Sequence, residues 1–380
     1  MGMNEQYLEA AKIINSAGGT PLQVNETLVQ IIKEIVTEEE IEMILAFKEK
    51  TSQTMDQLKE SSGMPESEIL EKTKSLAKKG VIFNQPSSKG VMVYRLLPLV
   101  NVGVFEYTFM QKLEPTEKNK RLAGLFTQLF KDMDVFVQSI YDGVVQHMEN
   151  MPAVDRTVPI QTNKKSGEKI IEINQDVGQQ SKDYVLQTQN VKELIEKFDE
   201  IAVGHCFCRH HKDMEDRSCK QTDMRENCFT FGKSARFTSE QGFMRMVDKE
   251  EALQILMKSQ EDGLVHKAFH PNFDVTRDET SICNCCKCCC GNSIDNQIGP
   301  IVNATSYLAI VNEELCTGCE ACLGYCHTDA ISMGTDNVVH VDENSCLGCG
   351  VCAYMCPEDA IQLKDSVRIV RIAPPKKDAA

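Results

Sequence analysis

Eight cysteines near the C-terminus constrain this chain more than any other feature. Cys316-Thr-Gly-Cys319-Glu-Ala-Cys322-Leu-Gly-Tyr-Cys326 has the spacing C-x2-C-x2-C-x3-C. Cys346-Leu-Gly-Cys349-Gly-Val-Cys352-Ala-Tyr-Met-Cys356-Pro357 repeats it 30 residues later. The repeat extends beyond cysteine, because Asp329-Ala330-Ile331 matches Asp359-Ala360-Ile361. Zinc sites pair two cysteines with a distant second pair, whereas here two full quartets occur. Thiolates spaced this tightly are metal ligands, and the segment must fold around what they bind.

All eighteen cysteines lie after position 205. A disulfide framework would call for a small exported domain. The stretch Met1-Gly2-Met3-Asn4-Glu5 lacks the basic and apolar regions of a signal peptide. Tyr7 stands where a myristoylation motif needs Ser or Thr. No run of eighteen apolar residues marks a membrane span. The expected location is therefore cytoplasmic, where thiols stay reduced. The formal net charge is −15. Between Ser306 and Asp365, ten acidic residues face only Lys364, which disfavours nucleic acid and favours docking onto a basic protein surface.

Residues Tyr307–Leu363 resemble the bacterial two-cluster [4Fe–4S] ferredoxin family. That resemblance implies two clusters with crossed ligation, the fourth cysteine of each run serving the other cluster. Cys316, Cys319, Cys322 and Cys356 would hold one; Cys346, Cys349, Cys352 and Cys326 would hold the other. Gly318, Gly348 and Gly350 would let backbone amides approach the sulfurs. His327 stands where the family has proline, and is expected to be a surface substitution that alters local rigidity and potential.

Ten further cysteines lie in the middle: Cys206, Cys208, Cys219, Cys228, Cys283, Cys285, Cys286, Cys288, Cys289 and Cys290. They resemble an anaerobic iron–sulfur group in which C-x-C-R and C-N-C-C-x-C-C-C segments precede a ferredoxin module. The expectation is one or two further clusters, with zinc or another soft metal as the alternative. Cys206, Cys208, Cys219 and Cys228 could form one quartet. Four of Cys285, Cys286, Cys288, Cys289 and Cys290 could form the other, with Cys283 in reserve. Arg209 and Lys287 are expected to offset cluster charge. His205, His210, His211 and His266 are candidate ligands whose ordinary role is packing.

The first hundred residues read as helices followed by a hairpin. Thr37-Glu38-Glu39-Glu40 forms a capping box. A helix at Met55–Ser61 and another at Pro65–Lys79, with apolar face Ile69, Leu70, Leu76 and Ala77, precede strands at Val81–Phe83 and Val91–Tyr94. This resembles a winged helix, but Glu66, Glu68 and Glu71 would meet phosphates with the wrong sign. A long amphipathic helix or broken pair is expected from Glu114 to Glu149, and a linker with short strands over 152–190.

The fold class is thus multidomain α+β: a winged-helix-like domain (1–100), a helical connector (101–151), a Cys-rich iron–sulfur domain (152–304), a 2[4Fe–4S] ferredoxin-like domain (305–366) and a tail (367–380). The function expected is single-electron relay between a low-potential donor and a partner oxidoreductase. No Rossmann or P-loop signature is present, so flavin, nicotinamide or ATP chemistry is expected in a partner, a flavin- or metal-containing redox protein. The N-terminal domain is a candidate oligomerisation surface. Alternatives are a redox-sensing winged-helix regulator, with DNA binding disfavoured, and an oxidoreductase with a catalytic central cluster.

Overall fold

The computed structural model describes residues 2–18, 22–87, 89–167, 169–172 and 190–377. Two compact units divide the chain. One comprises Met1–Phe136, His210–Arg217 and Arg236–Arg245; the other comprises Val137–Arg209, Ser218–Ala235 and Met246–Ala380.

The first unit begins with α1 Met3–Ser16, α2 Glu26–Ile35, α3 Glu38–Leu45, β1 Ser52–Thr54, α4 Met55–Ser62 and α5 Glu66–Lys78. It continues through β2 Ile82–Pro86, β3 Met92–Leu96, α6 Val104–Met110 and into α7 Glu117–Ser139. The capping box opens α3: the Thr37 amide donates to Glu40 at 2.9 Å. Glu40 also receives Ser75 and Lys79, which clamps α3 to α5. Burial works against its charge, but these donors hold its carboxyl below the usual range. Gly63 and Gly80 end α4 and α5 as expected. On α5 the buried face is Ile69, Thr73, Leu76 and Ala77, while Leu70 is exposed. Helices α1 and α2 and strand β1 carry no signal used above; β1 turns the expected hairpin into a three-stranded sheet of order β1-β3-β2.

The amphipathic stretch is a broken pair, α7 and α8 Tyr141–Met148, interrupted at Ile140. Only its first half packs as a core stripe. Leu122, Ala123, Phe126 and Leu129 are buried, whereas Val135 and Ile140 are exposed. Phe126 meets Phe105 at 5.1 Å between ring centroids, and Phe130 meets it at 4.9 Å. The His211 ring packs edge-on against Phe109 at 5.0 Å.

The chain then runs through β4 Asp155–Val158, β5 Ile171–Glu172, α9 Val191–Glu196, β6 Ile201–His205, α10 Phe207–Met214, β7 Glu226–Phe231, α11 Lys233–Glu240 and β8 Arg245–Val247. It ends with α12 Lys249–Glu261, β9 Val265–Phe269, β10 Ser281–Cys285, β11 Ile301–Val311, β12 Ile331–Met333, β13 Val339–Val341, α13 Val351–Met355 and β14 Ile361–Ile372. Nine strands make one sheet in the order β5-β14-β11-β4-β9-β10-β7-β6-β8. Strands β11 and β14 cross the expected borders at 304/305 and 366/367, so this sheet is continuous there. Part of the expected linker is a core strand: β4 is buried along its length between β11 and β9. Residues 173–189 of that stretch lie outside the described residues.

Candidate metal centres

In the C-terminal module the repeat in sequence becomes a repeat in hydrogen bonding. Asn312 and Asp342 occupy equivalent positions, each four residues before the first cysteine of a run. The Cys316 amide donates to the Asn312 carbonyl and the Cys346 amide to the Asp342 carbonyl, both at 3.1 Å. The two halves then interlock: the Asn312 amide donates to the Ala360 carbonyl and the Asp342 amide to the Ala330 carbonyl, both at 2.7 Å. Asp329 and Asp359 adopt left-handed backbone, with φ of 53° and 52°. Those turns direct the next amides onto sulfur. Ala360 donates to Cys356 Sγ at 3.3 Å, and Ala330 is among the amides that donate to Cys326.

Two recesses result. One is lined by Cys316, Cys319, Cys322 and Cys356. The other is lined by Cys326, Cys346, Cys349 and Cys352. Each takes three thiols from one run and one from the other. The backbone around them has no room for side chains: a Cβ on Gly348, at φ 59°, would lie 2.0 Å from the Tyr307 carbonyl oxygen. One on Gly350, at φ 75°, would lie 2.3 Å from the Ile160 carbonyl oxygen. Burial, with the neighbouring thiols adding to it, pushes the Cys322 thiol up to about 11 and the Cys349 thiol up to about 12. Unpaired, these groups resist ionising, so thiolate in both recesses calls for a cation there. A cubane with four iron corners supplies one, and the donor set of four sulfurs with amides directed at them fits it.

Arg368 on β14 was not singled out by the sequence. It donates to the carbonyls of Cys346, Tyr307 and Ser366 at 2.6, 2.9 and 3.1 Å. Cys319 is the one exposed cysteine of the eighteen. Exposed carboxylates Glu313, Glu314 and Glu320 lie close to it in sequence.

The central thiols group otherwise than their order suggests. Cys219 joins Cys286, Cys288 and Cys289, all four sulfurs lying within 4.8 Å of one another. It does not sit with Cys206, Cys208 and Cys228: it lies on the loop after α10, whereas Cys206 directly follows β6, Cys208 is on α10 and Cys228 is on β7. The other six close into a ring of thiol–thiol contacts. Cys206 contacts Cys208 and Cys228; Cys208 reaches Cys290; Cys290 meets Cys285; Cys285 meets Cys283; Cys283 returns to Cys228. Adjacent strands gather them: Cys228 lies on β7, opposite Gly204 of β6, and Ile282 of β10 lies opposite Phe229 of β7.

Arg209 is fully buried. It donates to the Asn284 carbonyl at 3.1 Å, to the Asn227 side chain and to Cys286. Burial opposes its charge, but the thiols of Cys206, Cys286 and Cys228 hold the guanidinium firmly protonated. Lys287 points elsewhere: it pairs with Asp329 and lies 3.9 Å from Asp295, with Cys326 close enough to act on its charge. The second cation near the ring is Lys267, buried on β9, 3.1 Å from Asp155 and under the influence of Cys285 and Cys290. A lysine inside the apolar run Leu264–Phe269 was the available signal.

Three of the four candidate histidines pack; His205 ends β6, opposite Glu226 of β7. His210 hydrogen-bonds the Phe109 carbonyl and His211 the Ala123 carbonyl, each at 2.9 Å. His266 hydrogen-bonds the Asn284 side chain. His327 is not on the surface; it is 2% exposed, 3.1 Å from the Asn292 carbonyl and in contact with Cys290. His327 supplies a polar ring where the loop adjoins the central thiols.

A family model described as a 4Fe-4S dicluster domain matches residues 309–363. No match was found among curated proteins or among solved structures. Among the described residues, no helix is long and apolar enough to cross a membrane.

Proposed function

We propose that the chain is an iron–sulfur electron-transfer protein or subunit, relaying single electrons between a low-potential donor and a partner oxidoreductase. The observation that carries this reading is the pair of recesses, each walled by three thiols of one repeat and one of the other. Cys316, Cys319, Cys322 and Cys356 hold one [4Fe–4S] cluster; Cys346, Cys349, Cys352 and Cys326 hold the second. When bound, such clusters supply reversible one-electron exchange at potentials set by charge, hydrogen bonds and exposure.

The chain's own residues set those conditions. Amides such as those of Gly348 and Ala360 donate to sulfur and spread its charge. Arg368 places a guanidinium beside the Cys346 loop. Exposed Cys319, with its acidic neighbours, marks where a partner with a basic surface would dock. The buried six-thiol ring, with Arg209 and Lys267 near it, holds a further cluster. The first unit, with its helix–strand–helix–helix–strand–strand order, is a winged-helix-like interaction or dimerisation module. The acidic first turn of α5, where Glu66 and Glu68 are already paired with Lys59 and Lys72, disfavours DNA.

The test is to purify the chain without oxygen, count iron and acid-labile sulfide, and record EPR after dithionite reduction. At least about eight irons and eight sulfides per chain, with coupled cubane signals, are expected. Iron at background level would sink the proposal.

A further inference from the structure

The ten central thiols differ in spacing, four of them lying mutually within 4.8 Å. We infer that Cys219, Cys286, Cys288 and Cys289 bind a single soft divalent ion, zinc or iron, in a closed tetrahedral thiolate shell and not an iron–sulfur cluster. This inference stands apart from the ferredoxin reading and can fail or hold without it.

Sulfur spacing carries the distinction. A tetrahedral ion with metal–sulfur bonds of about 2.3 Å sets its sulfurs about 3.8 Å apart. Cys219 Sγ lies 3.5 Å from Cys288 Sγ, which lies 3.6 Å from Cys289 Sγ, and all four sulfurs fall within 4.8 Å of one another. In a cubane each thiolate caps a separate iron corner, so the sulfurs stand farther apart around a larger core. The same chain provides the control. Among the described residues, the Cys219 group is the only set of three or more such ligand atoms that meets this limit. The eight thiols of the C-terminal module instead line recesses, and among the described residues no three sulfurs of the six-thiol ring all lie within that limit of one another.

The surroundings are those of a closed site. Amides of Gln221 and Thr222 donate to Cys219 sulfur, and the amide of Lys220 donates to Cys288. Arg209 donates to Cys286, offsetting part of the double negative charge that four thiolates and one divalent ion carry. The Cys286–Cys289 loop is fixed independently of metal. The Lys287 amide donates to Gln221 Oε1 at 3.1 Å, Ser293 Oγ donates to the Lys287 carbonyl at 2.6 Å, and Asn296 donates to the Cys288 carbonyl at 3.2 Å. Four protein sulfurs complete a tetrahedral shell and leave no position for substrate, so the site is structural or, with iron, a one-electron centre.

The full chain, purified without oxygen, is analysed for zinc, iron and labile sulfide as wild type, Cys219→Ser and Cys288→Ser. Each variant is expected to lose one metal ion per chain with labile sulfide unchanged. X-ray absorption of the wild type does not depend on the variants folding. Zinc should show four sulfurs at about 2.3 Å and no metal–metal shell. If the ion is iron, the oxidised protein should show a single-ion high-spin ferric signal that Cys219→Ser removes. Loss of about four irons together with their labile sulfide in either variant would overturn the inference, as would unchanged metal content in both.

Discussion

The C-terminal module and the central region both crowd buried thiols, and they reach that state by different routes. In the C-terminal module, two short loops related by a 30-residue repeat present three cysteines each, and the interlocking bonds of Asn312 and Asp342 bring each fourth cysteine to the other loop. In the central region, β6, β7 and β10 gather residues as far apart as Cys206 and Cys290. The first arrangement is local and symmetric; the second depends on long-range strand register. Damage should therefore stay confined to one recess in the first, and spread through the sheet in the second.

The sharpest break of that comparison is a pair of cysteine variants. Cys352→Ser is expected to remove one cluster, about four irons and four sulfides, and to leave the other bound metals in place. Cys228→Ser removes a ring thiol at the junction of β6 and β7, and should lower central metal content and solubility together. Metal analysis and the yield of soluble protein would check both. If Cys352→Ser stripped the central metals as well, the two regions would be one cooperative site.

Next in size is Lys267→Met. Its ammonium lies 3.1 Å from Asp155, both side chains being buried, and Asp155 also accepts from Asn303 on β11. Removing the cation alone leaves a buried carboxylate uncompensated, at a cost of about 3–5 kcal/mol. The urea midpoint should fall accordingly, and adding Asp155→Asn should recover part of the loss. Recovery ties the defect to the pair and not to lost packing.

These contrasts also explain what could be read in advance. The quartets lining the two recesses were legible because ligand spacing and fold are encoded in the same eleven-residue run. The order of helices and strands from α3 to β3, apart from β1, was legible through Thr37, Gly63 and Gly80, which punctuate helices by local chemistry. The partition of the central ten into four and six was not, since it is decided by which strands pair. Cys283 is near Cys228 only through the β10–β7 register. Strand β4 read as linker because its core is polar. Asp155, Arg156 and Thr157 are buried by partners more than 100 residues away, among them Glu279 at 2.7 Å and Asn303 at 2.9 Å. His327 was assigned to the surface because nothing local announces that Cys290 lies against it.

Acid should separate the regions by a somewhat smaller amount. Burial pushes the His266 imidazole down to about 4, although its bond to Asn284 works the other way. An unfolded histidine titrates near 6.5. With the folded value below the unfolded one, its contribution is complete above about pH 6.5 and is lost progressively as pH falls towards 4. The loss approaches about 3 kcal/mol. Metal release in acid affects wild type and variant alike, so the readout is the difference between their urea midpoints. The midpoint of His266→Gln should depend less on pH than that of wild type between pH 7 and 4.5. Parallel profiles would mean that His266 is not kept neutral by the sheet.

The smallest effect is expected at Arg368, and it probes the C-terminal side of the comparison most directly. This half-buried guanidinium does not ligate; it ties β14 to the loop of the second run through the carbonyls of Cys346, Tyr307 and Ser366. Because solvent reaches the group, its replacement by alanine should cost only about 1–2 kcal/mol. Metal content should stay at the wild-type level, since all eight thiols and the interlocking bonds of Asn312 and Asp342 remain. What should change is the reduction midpoint of the cluster proposed for Cys346, Cys349, Cys352 and Cys326. With a nearby positive charge gone, the more negative reduced state is less favoured and the midpoint moves lower. Arg368→Lys, which retains the charge but not the fork of donors, should recover part of that shift without recovering all the stability. An unchanged midpoint in Arg368→Ala, measured by titration under EPR, would make Arg368 a brace for β14 alone.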